Sequence, residues 1–396
     1  MKINRYLRLF AAALVLFFAG VVYAWSILKA PLGEEFGWTP AVLALNFTIT
    51  MCAFATGGLV SGLLAKKVPA QLRVAVGGLL GGGGIAAVSF LSGEAILPLY
   101  LLYGILAGFS IGMVYNTGIT TPAGWFPDKT SLSSGVVMMA FGFSTLVLGK
   151  VLQAMFDSPA FGWRKSYLLL GIGVAVVSLL TAPLIRTPKP GEVPPAAAKK
   201  ATPGENFPPL GMMKRISFYG LFFVCTFQAA VGNTMISFAK DFSLSLGASA
   251  SLAVTLVGLL SVCNGLGRLI SGALLDKLGL RKTQYIMALV LMTAALSGLA
   301  GVLAESLVLG VCALVLCGFS YGFCPTFSAA ATLHFYGGTH YPLNLSIINM
   351  TLIPTSFMAT LAGGLVESSG GYLGVFLVLT LAALLASVVN LCLKKA

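Results

Sequence analysis

Gly108-Phe109-Ser110-Ile111-Gly112 returns 210 residues later as Gly318-Phe319-Ser320-Tyr321-Gly322. A second pair, Ser61-Gly62 and Ser271-Gly272, keeps the same offset, and each member lies just before a basic loop. Two matches at one shift point to a duplicated unit about half the 396-residue chain in length. Gly104, Gly108 and Gly112 also form a stripe of small residues four apart, and Gly77/Gly81 and Gly78/Gly82 repeat the spacing. Such stripes let helix backbones approach closely, the packing mode of helices in lipid.

Outward from these repeats, apolar runs bounded by charge, Pro or Gly predict spans at 7–32, 40–65, 71–92, 95–124, 131–155 and 163–186. A second set follows at 216–240, 248–275, 283–303, 306–335, 341–366 and 371–393. Each approaches or exceeds the roughly 20 residues that cross a bilayer as a helix. The expected fold class is an all-α membrane protein, with twelve transmembrane helices in two six-helix bundles, 1–186 and 215–396. Between them, 187–214 holds seven prolines together with Lys199 and Lys200 and reads as a cytoplasmic linker. Lys2, Arg5 and Arg8 before Leu9–Leu28 mimic a secretory signal. The apolar stretch is longer than the roughly 7–15 residues of a signal core, so it reads as an uncleaved first span. Gly81–Gly84 is followed by Ile85-Ala86-Ala87-Val88 rather than Gly-Lys-Ser/Thr, which removes a phosphate-loop reading.

The composition is 58% hydrophobic and 9% charged, with mean hydropathy +0.95. A soluble domain carries nearer a quarter charged residues, so lipid is the solvent this chain suits. The formal net charge of +13 would suggest nucleic acid in a soluble protein. With the N-terminus cytoplasmic, however, 18 of the 24 Lys and Arg fall on inner segments. That is the positive-inside pattern, so the charge is explained by topology and nucleic acid drops out as a partner. Arg164, Lys165 and Lys240 are left outside. Both termini and the linker are expected in the cytoplasm, and the compact loops suit a bacterial inner membrane. Cys52, Cys225, Cys263, Cys312, Cys317, Cys324 and Cys392 form no C-x-x-C pair and read as small hydrophobes. No catalytic triad, metal cluster or nucleotide loop is legible; no cofactor, metal or enzymatic activity is expected.

In so uncharged a chain, an ionisable group deep in a span carries the information. Arg268 lies about 20 residues into the eighth span, with Asn264 one turn earlier on the same face. A guanidinium is permanently charged, and its planar fork of donors matches a carboxylate. In a water-filled cavity it would bind an anion; the competing reading is an arginine that snorkels to the inner surface or braces a neighbouring helix. Tyr115 and Asn116 lie deep in the fourth span and Tyr321 in the tenth. Their polar groups need partners, supplied by a bound anion or by water and backbone. Leu28 would accept a short aliphatic chain. Lys29, near the outer end of the first span, either recruits anions or snorkels into the interface beside Trp25 and Trp38. No Asp or Glu falls in the middle of a predicted span, which weighs against a cation carrier or a carboxylate relay. His334 and His340 flank an inner loop as surface residues.

The stretch Gly272-Ala-Leu-Leu-Asp276-Lys277-Leu-Gly279-Leu-Arg281-Lys282 resembles the signature between spans eight and nine of the major facilitator superfamily, and Gly162-Trp163-Arg164 resembles another of its elements. Parallel six-helix repeats are the arrangement of that fold. Tyr23-Ala-Trp25-Ser-Ile-Leu28-Lys29-Ala-Pro31-Leu, Asn264-Gly-Leu-Gly-Arg268 and Gly108-Phe-Ser-Ile-Gly-Met-Val-Tyr115-Asn116 are similar to the monocarboxylate transporters and to their bacterial relatives, the oxalate:formate antiporters. The resemblance implies that Arg268 binds the substrate carboxylate and that Lys29 assists its access. Animal members usually carry Asp where this chain has Asn264, and use it in proton coupling; that acid is missing here. The antiporters add a lysine in span eleven, whereas Leu345 to Val366 contains no Lys or Arg. One fixed cation suits one negative charge.

The function expected is therefore secondary active transport of a small monocarboxylate such as L-lactate, together with a proton, by alternating access. The site is expected to be lined by Arg268, Asn264, Tyr115, Tyr321, Asn116 and Leu28. An exchanger for formate, oxalate or another dicarboxylate is the alternative. A membrane sensor would show ligand binding without flux, and a passive channel would show flux without saturation.

Overall fold

The computed structural model describes residues 4–65, 67–93, 95–126, 130–189, 192, 206–337 and 340–392. Lys2, Lys66, Lys129, Lys199, Lys200, Lys394, Lys395 and the side chains of Asp276 and Cys392 lie outside the described residues. Twelve helices are long and apolar enough to cross a membrane, and the chain is an integral membrane protein. They are α1 Arg5–Phe36, α2 Pro40–Leu64, α3 Ala70–Phe90, α4 Leu97–Pro122, α5 Gly135–Phe156 and α6 Gly162–Leu184. The second six are α7 Ile216–Ser245, α8 Ala250–Leu275, α9 Lys277–Leu303, α10 Leu307–Tyr336, α11 Leu343–Ser369 and α12 Leu373–Leu391. Large apolar side chains such as Phe10, Phe90, Leu180, Leu289 and Val308 remain exposed on these helices, and lipid matches them where water would not. The chain divides into two compact units, Met1–Ala197 and Ala198–Ala396.

In the first unit the glycine stripes settle which helices meet. A Cβ at Gly108 would stand 2.7 Å from the Thr50 carbonyl oxygen of α2, and at Gly57 or Gly112 it would collide with the Phe109 or Phe54 carbonyl. Backbone therefore lies directly on backbone where α2 crosses α4. The two stripes of α3 face different neighbours: Gly77 and Gly81 meet Ser110 and Val114 of α4, whereas Gly78 and Gly82 meet Ser178 and Gly171 of α6. Two helices depart from regular geometry in ways the hydropathy pattern does not show. Helix α1 tightens to a 3-10 turn over Gly20–Ala24, where Gly20 lies on the Phe141 backbone of α5. Helix α4 widens to a π-helical stretch over Tyr100–Ala107, a feature frequent at functional sites.

The C-terminal end of α1 is fastened to α6. Glu35 accepts hydrogen bonds from Trp163 Nε1 (2.5 Å) and Arg164 Nη2 (2.6 Å), and Arg164 Nη1 also donates to the carbonyls of Ser89 and Leu91. Gly162, with φ +60°, allows the turn that presents this pair. The Gly162-Trp163-Arg164 element is thus a latch joining α1, α3 and α6. At the N-terminal end of α3, Arg73 is buried and donates from Nη1 to the Ser61 carbonyl (2.9 Å) and to Ser61 Oγ (3.0 Å). Ser61 Oγ in turn lies 2.9 Å from Thr117 Oγ1 of α4. Arg73, counted among the inner-loop cations by sequence, is a structural tie between α2, α3 and α4.

In the second unit, a Cβ at Gly267 would stand 2.5 Å from the Phe319 carbonyl oxygen, and at Gly318 or Gly322 it would collide with the Leu260 or Asn264 carbonyl. These are the same contacts as in the first unit, shifted by 210 residues. Gly279, in the resembling signature, has φ +77° at the turn from α8 into α9. Helix α11 is interrupted around Met350–Thr351.

Parts of the segment read as linker are folded. Pro209–Met213 forms a short helix started by proline in the first turn, where its missing N–H costs nothing. Phe207 N–H donates to the Tyr336 carbonyl and Asn344 Nδ2 to the Phe207 carbonyl, so this stretch is tied to α10 and to the start of α11. On the first-unit side, Arg186 pairs with Glu192 through two hydrogen bonds of 2.7 and 2.6 Å. Arg186 and the Lys189 N–H hold the Glu192 carboxyl down at about 2, and Glu192 raises the Arg186 guanidinium in turn. Residues 190–191 and 193–205 lie outside the described residues. Lys240, expected outside, is buried in α7. Cys225, Cys263, Cys317 and Cys324 are buried free thiols, Cys52 is half-buried, and Cys312 is exposed.

Candidate functional site

In the second unit, Gly318 and Gly322 let α10 settle on α8 so closely that Tyr321 comes level with Asn264. Asn264 is 2% exposed, and its Oδ1 has no hydrogen-bond partner among the described residues. Arg268, one turn further along the same face, is half-buried. It stands 7 residues from the last residue of α8, roughly 10 Å along the axis. Its carbonyl accepts from Ser271 Oγ (3.0 Å) and Thr326 Oγ1 (3.4 Å), which tie the backbone beneath the guanidinium. Helix α10 contains no Asp or Glu, and Asp276 directly follows the last residue of α8.

Helix α7 completes this region, and sequence reading passed over its share. Gly232 packs against the Tyr321 ring. Tyr321, itself 6% exposed, donates from Oη to Asn233 Oδ1 at 3.5 Å. Asn233 is fully buried, with Nδ2 lacking a partner among the described residues; Thr234 Oγ1, Ser237 Oγ, Ser261 Oγ and Ser320 Oγ are in the same state. Gln228 Nε2 donates to the Ser320 carbonyl at 3.2 Å. Ser26, Asn46, Ser144, Thr145 and Ser178 of the first unit also carry buried polar atoms without a partner among the described residues. For α7, the signal in the sequence was the run Gln228…Asn233-Thr234…Ser237 inside an apolar helix.

In the first unit, Tyr115 is half-buried in an aromatic cluster, its ring centroid 5.1 Å from Phe54 and 4.9 Å from Phe141, with Tyr23 on the far edge of Phe141. Asn116 is half-buried beside Gly58, and its carbonyl accepts from Thr120 Oγ1. Leu28 is fully buried; its carbonyl accepts from Tyr167 Oη at 2.9 Å, so α6 positions this part of α1. Lys29 is 4% exposed and Trp25 is fully buried, donating from Nε1 to the Leu43 carbonyl. Of the two readings for Lys29, its burial goes against snorkelling into the interface beside Trp25. His334 and His340 are exposed, as expected. Among the described residues no cluster of His, Cys, Asp or Glu has metal-binding geometry.

The Major Facilitator Superfamily model matches residues 9–352 and again 222–395. The chain belongs to the major facilitator superfamily. Its members are transporters, and a transporter is what this chain is. Among curated relatives, the oxalate:formate antiporter of Oxalobacter formigenes is 24% identical over 286 residues, covering 72% of this chain and 66% of that protein. Monocarboxylate transporter 12 of Homo sapiens is 23% identical over 384 residues, covering 90% of this chain and 72% of the relative. The fold matches solved superfamily structures: a D-xylose-proton symporter at TM-score 0.72 and 15% identity, covering 98% of this chain and 97% of the other. The nucleoside transporter NupG matches at TM-score 0.72 and 13% identity over 100% of both chains.

Proposed function

We propose that this transporter carries a small monocarboxylate, of the size of L-lactate or pyruvate, across the membrane by alternating access. The observation that carries the reading is a permanent cation, Arg268, one turn from the buried Asn264 deep in α8. A guanidinium presents a planar fork of donors that matches a carboxylate and favours it over a neutral solute. Arg268 pairs with the carboxylate through its fork of donors, and Asn264 and Tyr321 hold the remainder of the solute. From the first unit, Tyr115, Asn116 and Leu28 are proposed as further substrate-facing groups and Lys29 as an access group. No Lys or Arg lies in α11, and with Arg268 as the cation that meets the solute we favour a single negative charge. We further propose electroneutral uptake with one proton travelling on or beside the carboxylate, since Asn264 supplies no titratable group. A bacterial inner membrane, with both termini cytoplasmic, is the proposed location.

Likeness to an oxalate:formate antiporter favours exchange as the second reading. The purified protein in liposomes separates the two. Radiolabelled L-lactate uptake that saturates and rises with an inward proton gradient supports symport. Uptake indifferent to the gradient and driven by internal anion establishes exchange. Oxalate–formate counterflow with no L-lactate uptake overturns the monocarboxylate assignment.

A further inference from the structure

Cys225 on α7 and Cys324 on α10 are buried free thiols that the proposed transport does not use. Their helices lie side by side over several turns. Ser217 Oγ is 3.0 Å from Tyr336 Oη, Gln228 Nε2 donates to the Ser320 carbonyl at 3.2 Å, and a Cβ at Gly232 would collide with Tyr321. Between the first two of these contacts the cysteines meet. Cys324 Sγ donates to the Cys225 carbonyl at 3.5 Å, and the two thiols hydrogen-bond each other. Pro325, next in the chain, interrupts the hydrogen-bond ladder of α10 at this level, which is where a helix bends. The thiols therefore touch at the point where α10 can flex, three residues from Tyr321.

We propose that Cys225 and Cys324 form a redox site, at which a peroxide joins the two thiols in a disulfide that pins α7 to α10 and stops transport. Cys324 is 6% exposed and Cys225 fully buried, so Cys324 is the thiol that a small oxidant reaches first. Its sulfur attacks hydrogen peroxide and the O–O bond breaks. One oxygen stays on Cys324 as sulfenic acid, and the other leaves as water with the thiol proton. The Cys225 sulfur then attacks the sulfenic sulfur. The S–S bond forms, the S–O bond breaks, and a second water carries off the oxygen with the Cys225 proton. Two electrons pass from the sulfurs to the peroxide, and a dithiol reductant returns them. Low exposure makes the first step slow, so the site answers sustained oxidant. Closing the sulfurs to about 2 Å uses the freedom that Pro325 gives α10. The crosslink then fixes the angle at that kink. The loss of transport rests on the alternating-access reading, whereas the crosslink itself does not.

The test treats the whole protein in liposomes with hydrogen peroxide, blocks remaining thiols with N-ethylmaleimide, and reads both peptide masses and uptake. A peptide linking Cys225 to Cys324, lighter by two hydrogens than its separate parts and split by dithiothreitol, is expected. Saturable L-lactate uptake should fall about tenfold or more and return with dithiothreitol. Cys225→Ser should transport like wild type before treatment and lose the reversible inhibition. Should that variant not fold, Cys324→Ala takes its place with the same expectation. No linked peptide under conditions that oxidise the exposed Cys312 overturns the proposal. A linked peptide with unchanged uptake refutes the control of transport, and equal inhibition in Cys225→Ser puts the sensitive group elsewhere. If untreated wild type takes up no L-lactate, the monocarboxylate reading fails by itself. The linked peptide, which needs no solute, then still decides the redox site, and oxalate–formate counterflow supplies the transport readout.

Discussion

The α2–α4 crossing of the first unit and the α8–α10 crossing of the second are the same structure written with different chemistry. Gly57 on Phe109, Gly108 on Thr50 and Gly112 on Phe54 reappear at an offset of 210 as Gly267 on Phe319, Gly318 on Leu260 and Gly322 on Asn264. The backbone contacts are identical because each leaves no room for a side chain. The residues they carry are not. Phe54 is matched by Asn264, Gly58 by Arg268 and Ile111 by Tyr321. The first crossing has Phe54, Gly58 and Ile111 where the second bears the amide, the cation and a tyrosine. Duplication has kept what makes helices meet and has varied what a solute would meet.

The comparison breaks first at its glycines. Gly112→Val and Gly322→Val each drive a branched side chain into a facing carbonyl, and overpacking of this kind costs about 1–3 kcal/mol or more. Both variants should lose the monodisperse gel-filtration peak of wild type in detergent. If one folds normally, the crossings are not equivalent. Gly57→Ala should likewise be damaging.

The N-terminal ends of α3 and α9 differ in how they are tied. Arg73 binds Ser61 in the first unit, whereas its match, Thr283, donates to the Gly279 carbonyl at 2.9 Å. Hydrogen bonds from charged groups contribute about 1.5–3 kcal/mol and neutral ones about 0.5–1.5 kcal/mol. Arg73→Met should therefore lower the melting temperature by several degrees and Thr283→Val by less, read by thermal fluorescence. The reverse order would mean that Arg73 is no structural tie.

Gly58→Ala sharpens the contrast from the other side. A Cβ there meets nothing closer than 3.7 Å, ordinary contact, so melting temperature and uptake should stay near wild type. Substantial loss would show that the first crossing has a more demanding role at this position than packing.

Smallest of all is the exposed Arg186–Glu192 pair, confined to the first unit. Its folded carboxyl, near 2, lies below its ordinary value of 4.5, so any contribution is present above that value and fades as pH falls towards 2. At neutral pH, Glu192→Gln should move the melting temperature by about a degree at most, because exposed pairs are weak. A larger drop would give the end of α6 a greater part in stability.

Much of this was legible in the sequence, for physical reasons. Span positions followed from hydropathy, since each helix must match lipid along its length. The repeat was visible because close contact admits only glycine. Arg268 stood out because a charge is costly in a membrane, and Asn264 because it lies one turn from that charge on the same face. The 3-10 turn at Gly20–Ala24 and the π-helical turn at Tyr100–Ala107 were invisible, because tertiary contact rather than composition sets them. The burial of Lys29 and Arg73 was also missed, because a lysine or arginine near a helix end looks the same whether it snorkels or folds inward. Asn233 went unremarked because an uncharged amide raises no alarm in an apolar window; its contact with Tyr321 appears only in the fold.

The central claim is that Arg268 supplies the charge that selects a monocarboxylate. Concentration-dependent L-lactate uptake should be measured in proteoliposomes holding equal amounts of folded wild type, Arg268→Gln and Arg268→Lys. Saturable uptake in wild type is expected to fall about tenfold or more in Arg268→Gln, as befits loss of charge-assisted hydrogen bonds worth about 1.5–3 kcal/mol. Arg268→Lys should keep the charge but lose the planar fork, and so retain only weak uptake. Saturable L-lactate uptake by Arg268→Gln at the wild-type rate would contradict the account.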